Sequence, residues 1–214
     1  MSDLPAADAV DCVVVGAGPV GLLTALLLAR DGWRVAVVER WPSSYPLPRA
    51  CTIDHEALRI LQAAGVMEEH DALFEPSRGE RGGYQMRNAD GELLRAINWN
   101  RTAESGWANT NGFYQPDLEE VLERMVDALP NVEVRRGWTC TDLSESDDSV
   151  TVEVARTDDM TERTLVRADW VVAADGATAL SGSCSASRAS TLASRPTGSS
   201  STTSRWRTGP GTLS

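Results

Sequence analysis

Three glycines and one acid carry the chemistry that can be read from this chain. Gly16, Gly18 and Gly21 stand in the spacing G-x-G-x-x-G within Gly-Ala-Gly-Pro-Val-Gly. Each has its own task. Gly16 permits a tight turn, Gly18 lets a pyrophosphate approach the main chain, and Gly21 lets helix and strand pack closely. Glu39 follows some 20 residues on, where a carboxylate accepts hydrogen bonds from a ribose diol. Arg40, beside it, is a candidate partner for a 2′-phosphate, but Glu39 repels one, so a ribose with free hydroxyls fits better. The chemistry is recognition of a dinucleotide. The motif alone does not separate a flavin dinucleotide from a nicotinamide one.

The surrounding sequence supplies the elements that must hold these residues. Val13 to Val15 form the β-branched run of a buried parallel strand. The glycine turn follows, and then the helix that runs to Arg30. Its free N–H groups and dipole favour a phosphate, placed along Gly16 to Gly21 with Pro19 and Val20. A second strand, Val35 to Val38, ends in Glu39. Strand, turn, helix, strand and terminal acid agree with one another, which the glycines alone would not achieve.

Beyond this βαβ unit the pattern varies. Pro42, Pro46 and Pro48 make Trp41 to Arg49 a loop. Thr52 or Asp54 caps a helix in which Ala57, Leu58, Leu61 and Ala64 recur at helical spacing, and Gly65 suits its left-handed end. His55 reads as a solvated polar residue, because no partner is visible near it. Asn88-Ala89-Asp90-Gly91 between apolar runs signals a hairpin. Trp99 to Gly112 is polar and irregular, and its tryptophans, Trp99 and Trp107, read as core anchors. Pro116 opens a helix with the stripe Leu118, Val121, Leu122, Met125, Val126 and Leu129. Asp117, Glu119 and Glu120 read as charges that favour its start. Short strands are expected at Val132–Val134, Trp138–Leu143, Val150–Val154 and Leu165–Ala168. A buried strand follows at Trp170–Ala174, ending in Asp175-Gly176.

Composition narrows the class. The 214 residues are 42% hydrophobic and carry a formal net charge of −11, which argues against nucleic acid or an anionic membrane as partner. All 20 basic residues are Arg, as a GC-rich coding bias would produce. Cys12, Cys51, Cys140 and Cys184 form no C-x-x-C pair, so no metal site is spelled out and free thiols in a reducing cytoplasm are expected. Cys12 to Ala29 carries no charge, but four Gly or Pro residues interrupt its first half, and the mononucleotide unit explains it without a membrane. Asp3, Asp8 and Asp11 stand where a signal peptide needs basic residues. The expected location is cytoplasmic.

Several segments together resemble the flavoprotein aromatic hydroxylases of class A, the 4-hydroxybenzoate hydroxylase type. The nearest likeness is to 3-(3-hydroxyphenyl)propionate hydroxylase-like monooxygenases. The segments are Val-Val-Gly-Ala-Gly-Pro-Val-Gly-Leu and Val-Glu-Arg at 38–40. They continue with Tyr-Pro-Leu-Pro-Arg-Ala at 45–50 and Glu-Ala-Leu-Arg-Ile-Leu-Gln-Ala-Ala-Gly at 56–65. Tyr-Gln-Pro-Asp-Leu-Glu at 114–119 and Ala-Asp-Gly-Ala at 174–177 complete the set. The resemblance implies an α/β fold, a Rossmann-like FAD-binding βαβ domain of the glutathione-reductase type, with an antiparallel β excursion from an incomplete substrate domain. It implies a βαβ core over 1–80, the excursion over 81–112, a return to the FAD domain over 113–177, and a low-complexity, disordered tail over 178–214.

The same resemblance implies FAD, with NADH or NADPH as co-substrate, and hydroxylation of a phenolic aromatic acid by oxygen. It places the diphosphate on Gly16, Gly18, Pro19, Val20 and Gly21, and the adenosine ribose on Glu39 and Arg40. Arg49 faces the diphosphate or ribityl side, Gln115 the ribityl chain, and Asp175-Gly176 the diphosphate and the reduced nicotinamide. No residue of the chain is assigned to the chemical step, which belongs to the flavin. Two alternatives stay open: an NAD-dependent Rossmann oxidoreductase and a non-catalytic FAD-binding fragment.

After Ala177 the composition shifts to Ser, Thr, Arg, Gly and Ala, and Asp175 is the last of the chain's 31 acids. The family's later Gly-Asp flavin motif is not found there. The expectation is a shift of reading frame near Gly182 or a truncation, with a genuine Ser/Thr-rich linker as the alternative, and in either case the segment as it stands is too polar to pack a core. The expectation is an FAD-binding portion with weak FAD retention and little activity alone.

Overall fold

β-branched residues in unbroken runs build the centre of the molecule. The computed structural model describes residues 8–76, 83–99, 101–176 and 202–204. In chain order these form β1 (Asp8–Val15), α1 (Pro19–Arg30), β2 (Val35–Glu39), β3 (Thr52–Asp54), α2 (His55–Ala63) and α3 (Val66–His70). A 3₁₀ turn at Asp71–Leu73 leads to β4 (Phe74–Pro76), β5 (Gly83–Arg87), β6 (Leu93–Asn98), β7 (Thr110–Phe113) and α4 (Gln115–Asp127). The remaining strands are β8 (Val132–Arg136), β9 (Trp138–Glu145), β10 (Val150–Arg156), β11 (Arg163–Ala173) and β12 (Thr202–Ser204). Two units result. The first comprises Met1–Ser44 and Leu122–Ser214, the second Tyr45–Val121.

The first unit is a sheet in the order β8-β2-β1-β11-β10-β9, with β12 against β11. β8, β2, β1 and β11 run parallel, with Val14 aligned to Val37 on one side and to Val172 on the other. β10 and β9 continue antiparallel. A parallel pair needs a crossover, and α1 supplies it between β1 and β2. Leu22, Ala25, Leu26 and Ala29 of α1 are buried, as are Val13, Val14, Val35 and Val37 of the strands. Asn131 ties the end of the crossover, donating from Nδ2 to the carbonyls of Ala29 and Trp33.

The second unit has a small sheet, β3-β7-β4, and a separate hairpin, β5-β6. Asp54 caps α2, accepting from the main chain of Ala57 at 2.8 Å, and Gly65 beyond its end has φ +73°. Leu58, Leu61, Val66, Phe74, Leu118 and Val121 are among its buried apolar residues. The expected hairpin forms around Asn88–Gly91, with Tyr84 opposite Ile97.

Three local expectations give way. The strands anticipated at Leu165–Ala168 and Trp170–Ala174 are one strand, β11, because β1 pairs with it from Val166 through Ala173 in a single register. The polar stretch from Trp99 to Gly112 is not wholly irregular. Thr110–Phe113 is the central strand of the β3-β7-β4 sheet, and Thr102 bridges Ala108. α4 starts at Gln115, one residue before Pro116, and ends at Asp127. The expected tail over 178–214 lies outside the described residues except for Thr202–Ser204, which run antiparallel to Val171–Ala173.

Candidate dinucleotide site

The turn between β1 and α1 is closed from three directions. Gly16 N–H donates to Val38 O at 2.7 Å, and Ala174 N–H donates to Val15 O at 2.7 Å. Gly16 has φ +105°, and a Cβ there would sit 2.5 Å from Ala174 O. A Cβ on Gly21 would run into the carbonyl of Gly16. Both glycines are therefore demanded by the packing of strand on strand and helix on turn. Gly18 differs. Its φ is −78°, which any residue can adopt, and a Cβ there would meet nothing within 4 Å. Neither the φ angle nor the space around it demands a glycine at this position, whereas a group resting on the main chain does.

Gly18 is also the N-cap of α1, with no side chain capping it and with Pro19 in the first turn. Pro19 has no N–H to leave unsatisfied, and the first turn carries no acid to compete with an anion. Val20 is exposed on the same turn. The donors of the next residues and the dipole of a 12-residue helix point to one place. A diphosphate fits this bare turn.

Glu39 stands at the carboxyl end of β2, half-buried. Oε2 accepts from Ala17 N–H at 2.8 Å, and Oε1 accepts from Trp41 N–H at 2.8 Å. Each oxygen keeps a second lone pair, so the carboxylate is held in place and can still accept from a ribose diol. Arg136 is aligned with Glu39 across the sheet, but its guanidinium is engaged by Glu123 at 2.7 Å and by Ser44 Oγ at 3.3 Å. Arg40 places its guanidinium over the indole of Trp41, 5.6 Å from the ring centre. Asp175 and Gly176 follow β11, and Asp175 Cα lies 3.0 Å from where a Gly16 Cβ would stand. Gly16–Gly21, Glu39–Arg40 and Asp175–Gly176 thus meet at the carboxyl ends of three adjacent parallel strands, the position at which open α/β sheets take their ligands.

Arg49 and Gln115 lie in the second unit, and the structure joins them to each other. Gln115 Oε1 accepts from the main-chain N–H of both Arg49 and Ala50 at 3.0 Å, and Nε2 donates to Glu119 Oε1 at 2.6 Å. The Arg49 guanidinium lies 4.6 Å from the centre of the Tyr45 ring. Gln115 is buried, with both ends of its amide engaged.

A family model described as FAD binding domain matches residues 9–203. The chain belongs to the FAD-binding domain family. Among curated relatives, a probable NADH-specific resorcinol 4-hydroxylase of Rhodococcus jostii is 39% identical over 168 residues, which is 78% of this chain and 31% of that protein. A 3-(3-hydroxy-phenyl)propionate/3-hydroxycinnamic acid hydroxylase of Comamonas testosteroni is 38% identical over 81% of this chain and 28% of its own length. This FAD-binding chain therefore spans under a third of each of these two relatives. Among solved structures, p-nitrophenol 4-monooxygenase from Pseudomonas putida aligns with a TM-score of 0.66 at 30% identity, over 79% of this chain and 42% of that one. Aklavinone-11 hydroxylase in complex with FAD and aklavinone aligns with a TM-score of 0.63 at 31% identity, over 84% and 34%. The resemblance to flavoprotein aromatic hydroxylases and the Rossmann-like α/β fold both hold.

Other polar residues of this FAD-binding domain acquire partners that sequence did not offer. His55 Nδ1 lies 3.3 Å from Ser105 Oγ and 3.5 Å from Glu56 Oε1, so the loop after Trp99 supplies the missing neighbour. Trp107 donates from Nε1 to Gln62 Oε1, and Trp99 stacks on Tyr84. Glu119 is buried, although it had read as a helix-start charge. Its distance of four residues from Gln115 on one helix was the available signal. Burial pushes the Cys12 thiol up to about 12, with Asp11 adding to the shift, which makes it a core residue and not a nucleophile. No cluster suited to a metal ion occurs among the described residues. No described helix is long and apolar enough to cross a membrane.

Proposed function

We propose that this chain is the FAD-holding portion of an NAD(P)H-dependent monooxygenase that hydroxylates a phenolic aromatic acid. The observation that carries the reading is the open space at Gly18, next to two glycines that the fold itself requires. The named activities of the relatives support the reaction class. FAD, when bound, would supply the redox chemistry by which a reduced nicotinamide and oxygen hydroxylate a phenol.

The chain's own residues bind and orient. The main chain of Gly16 to Gly21, with Pro19 and Val20, holds the diphosphate on the helix N-terminus. Glu39 takes the ribose hydroxyls, and Arg40 lies beside the adenosine. Asp175 and Gly176 border the diphosphate. Arg49 contributes a cationic contact to the cofactor, and Gln115 serves the same region. The cytoplasm is the proposed location, and small phenols and oxygen are the proposed reactants.

The test is cofactor-dependent melting. Saturating FAD raises the melting temperature of the full chain, and Glu39→Ala removes most of that rise. Equal behaviour of the two proteins overturns the reading. A rise with NADH but none with FAD favours the nicotinamide-dependent oxidoreductase instead. FAD binding without NADH oxidation stimulated by resorcinol or 3-(3-hydroxyphenyl)propionate marks a non-catalytic FAD-binding fragment.

A further inference from the structure

We propose that Glu119 and Gln115 form a buried positioning pair that acts on the cofactor through Arg49. The inference rests on the reading of the chain as FAD-binding and adds to it a residue, Glu119, and a different task for Gln115. The argument begins with the amide. Two main-chain N–H groups, those of Arg49 and Ala50, converge on one side-chain atom of Gln115 at 3.0 Å each. Only an oxygen can accept both, so that atom is Oε1. Nε2 then faces Glu119 Oε1 at 2.6 Å, where a carboxylate is the natural acceptor. A single orientation of the amide satisfies all three bonds.

Burial gives these bonds their leverage. Gln115 is 7% exposed and Glu119 5%. Water cannot readily replace a lost partner there, so breaking one bond leaves a polar group unsatisfied. The two residues are one helical turn apart at the start of α4, a rigid element. The chain they hold, Arg49–Ala50, belongs to a stretch with no regular structure, following a proline-rich loop. Gln115 clamps two consecutive N–H groups and so fixes the main chain from which the Arg49 side chain departs. The Tyr45 ring, 4.6 Å from the guanidinium, restrains its other end. With three of the four hydrogen-bonding positions of its amide taken by the protein, Gln115 is held fast and well suited to aim Arg49, and it keeps one Nε2 N–H for a further partner.

The experiment uses the whole 214-residue chain, four single variants and the Gln115→Met/Arg49→Ala double variant. Gln115→Met and Glu119→Met remove the bonds at nearly constant volume, Glu119→Gln keeps an acceptor for Nε2, and Arg49→Ala removes the guanidinium. Hydrogen exchange of the Arg49 and Ala50 amides is measured without cofactor, and FAD affinity is measured by titration. Gln115→Met is expected to speed exchange at both amides about tenfold or more, since each loses its acceptor. It is expected to weaken FAD binding roughly tenfold, with no further loss when Arg49 is already Ala, because residues that act through one another are not additive. Glu119→Met is expected to do the same more weakly, and Glu119→Gln to restore most of both. Unchanged exchange in Gln115→Met overturns the clamp, whatever FAD does. Full additivity of Gln115→Met with Arg49→Ala overturns the route through Arg49. If the unaltered chain does not bind FAD, the cofactor reading falls, while the exchange measurement still decides the clamp.

Discussion

The parallel sheet of the first unit and the β5-β6 hairpin of the second use similar apolar residues and treat them in opposite ways. Val13, Val14, Val35 and Val37 are at most 1% exposed, whereas Tyr84, Met86, Leu93 and Ile97 are between 41% and 51% exposed. The difference lies in what surrounds each strand. β1 has a strand on both sides and α1 against it. The hairpin is a two-stranded ribbon, an arrangement of marginal stability by itself. Register puts Tyr84 opposite Ile97, with Met86 on the same face by alternation and Trp99 stacked on Tyr84. An apolar run therefore identifies a strand without saying how deeply it is buried. Burial is a property of layers, and a layer is made by residues distant in the chain.

The comparison can be broken or sharpened by substitution. The largest effect is expected for Gly21→Ala, because the added methyl meets main chain that cannot move aside. A loss of at least about 4 kcal/mol in urea unfolding is expected. Next, Leu22→Ala in the buried face of α1 should cost about 3 kcal/mol by the same measurement. Leu94→Ala in the hairpin, at 64% exposure, should stay within about 0.5 kcal/mol. Equal losses for the two leucines would erase the contrast between sheet and hairpin.

Gly18→Ala separates ligand from fold. With φ −78° and open space, it should change stability by less than about 1 kcal/mol. FAD affinity should nevertheless fall about tenfold, which is about 1.4 kcal/mol. A marked loss of stability without ligand would show that the bare position serves the fold after all.

The smallest effect concerns the exposed ion pair at the start of the sheet. The Arg34 side chain and its main-chain N–H hold the Asp11 carboxyl below its ordinary value of 3.8. A lowered value in the folded state means that the ionised form contributes stability above about pH 4, and that this is lost as pH falls through the lowered value. Asp11→Asn should thus be slightly less stable than the parent at neutral pH, and the gap should close on acidification below pH 4. Solvent keeps the contribution small.

Much of the cofactor unit was legible because its signals are local. Gly16, Gly18, Gly21 and Glu39 lie in one βαβ stretch, and their spacing reports the turn, the helix start and the strand end directly. The capping by Asp54, the left-handed Gly65 and the hairpin at Asn88–Gly91 were legible for the same reason. β7 was not, because Thr-Asn-Gly-Phe has little strand preference and is a strand only by lying between β3 and β4. Glu119 was misjudged because the first turn of a helix favours acids in any case, and that general preference hid a specific partner.

The sequence by itself determined the βαβ unit, the three glycines, the acid that ends β2 and the likeness to flavin hydroxylases. These depend on periodicity and on spacing within a few tens of residues. Only the tertiary structure decided that Asp175 stands beside Gly16, that β11 is a single strand, and that Gln115 turns its amide to Arg49 and Ala50 rather than outward. Each of those facts is a contact between segments far apart in the chain. Such contacts arise from the packing of layers and the satisfaction of buried polar groups, and no local pattern encodes them.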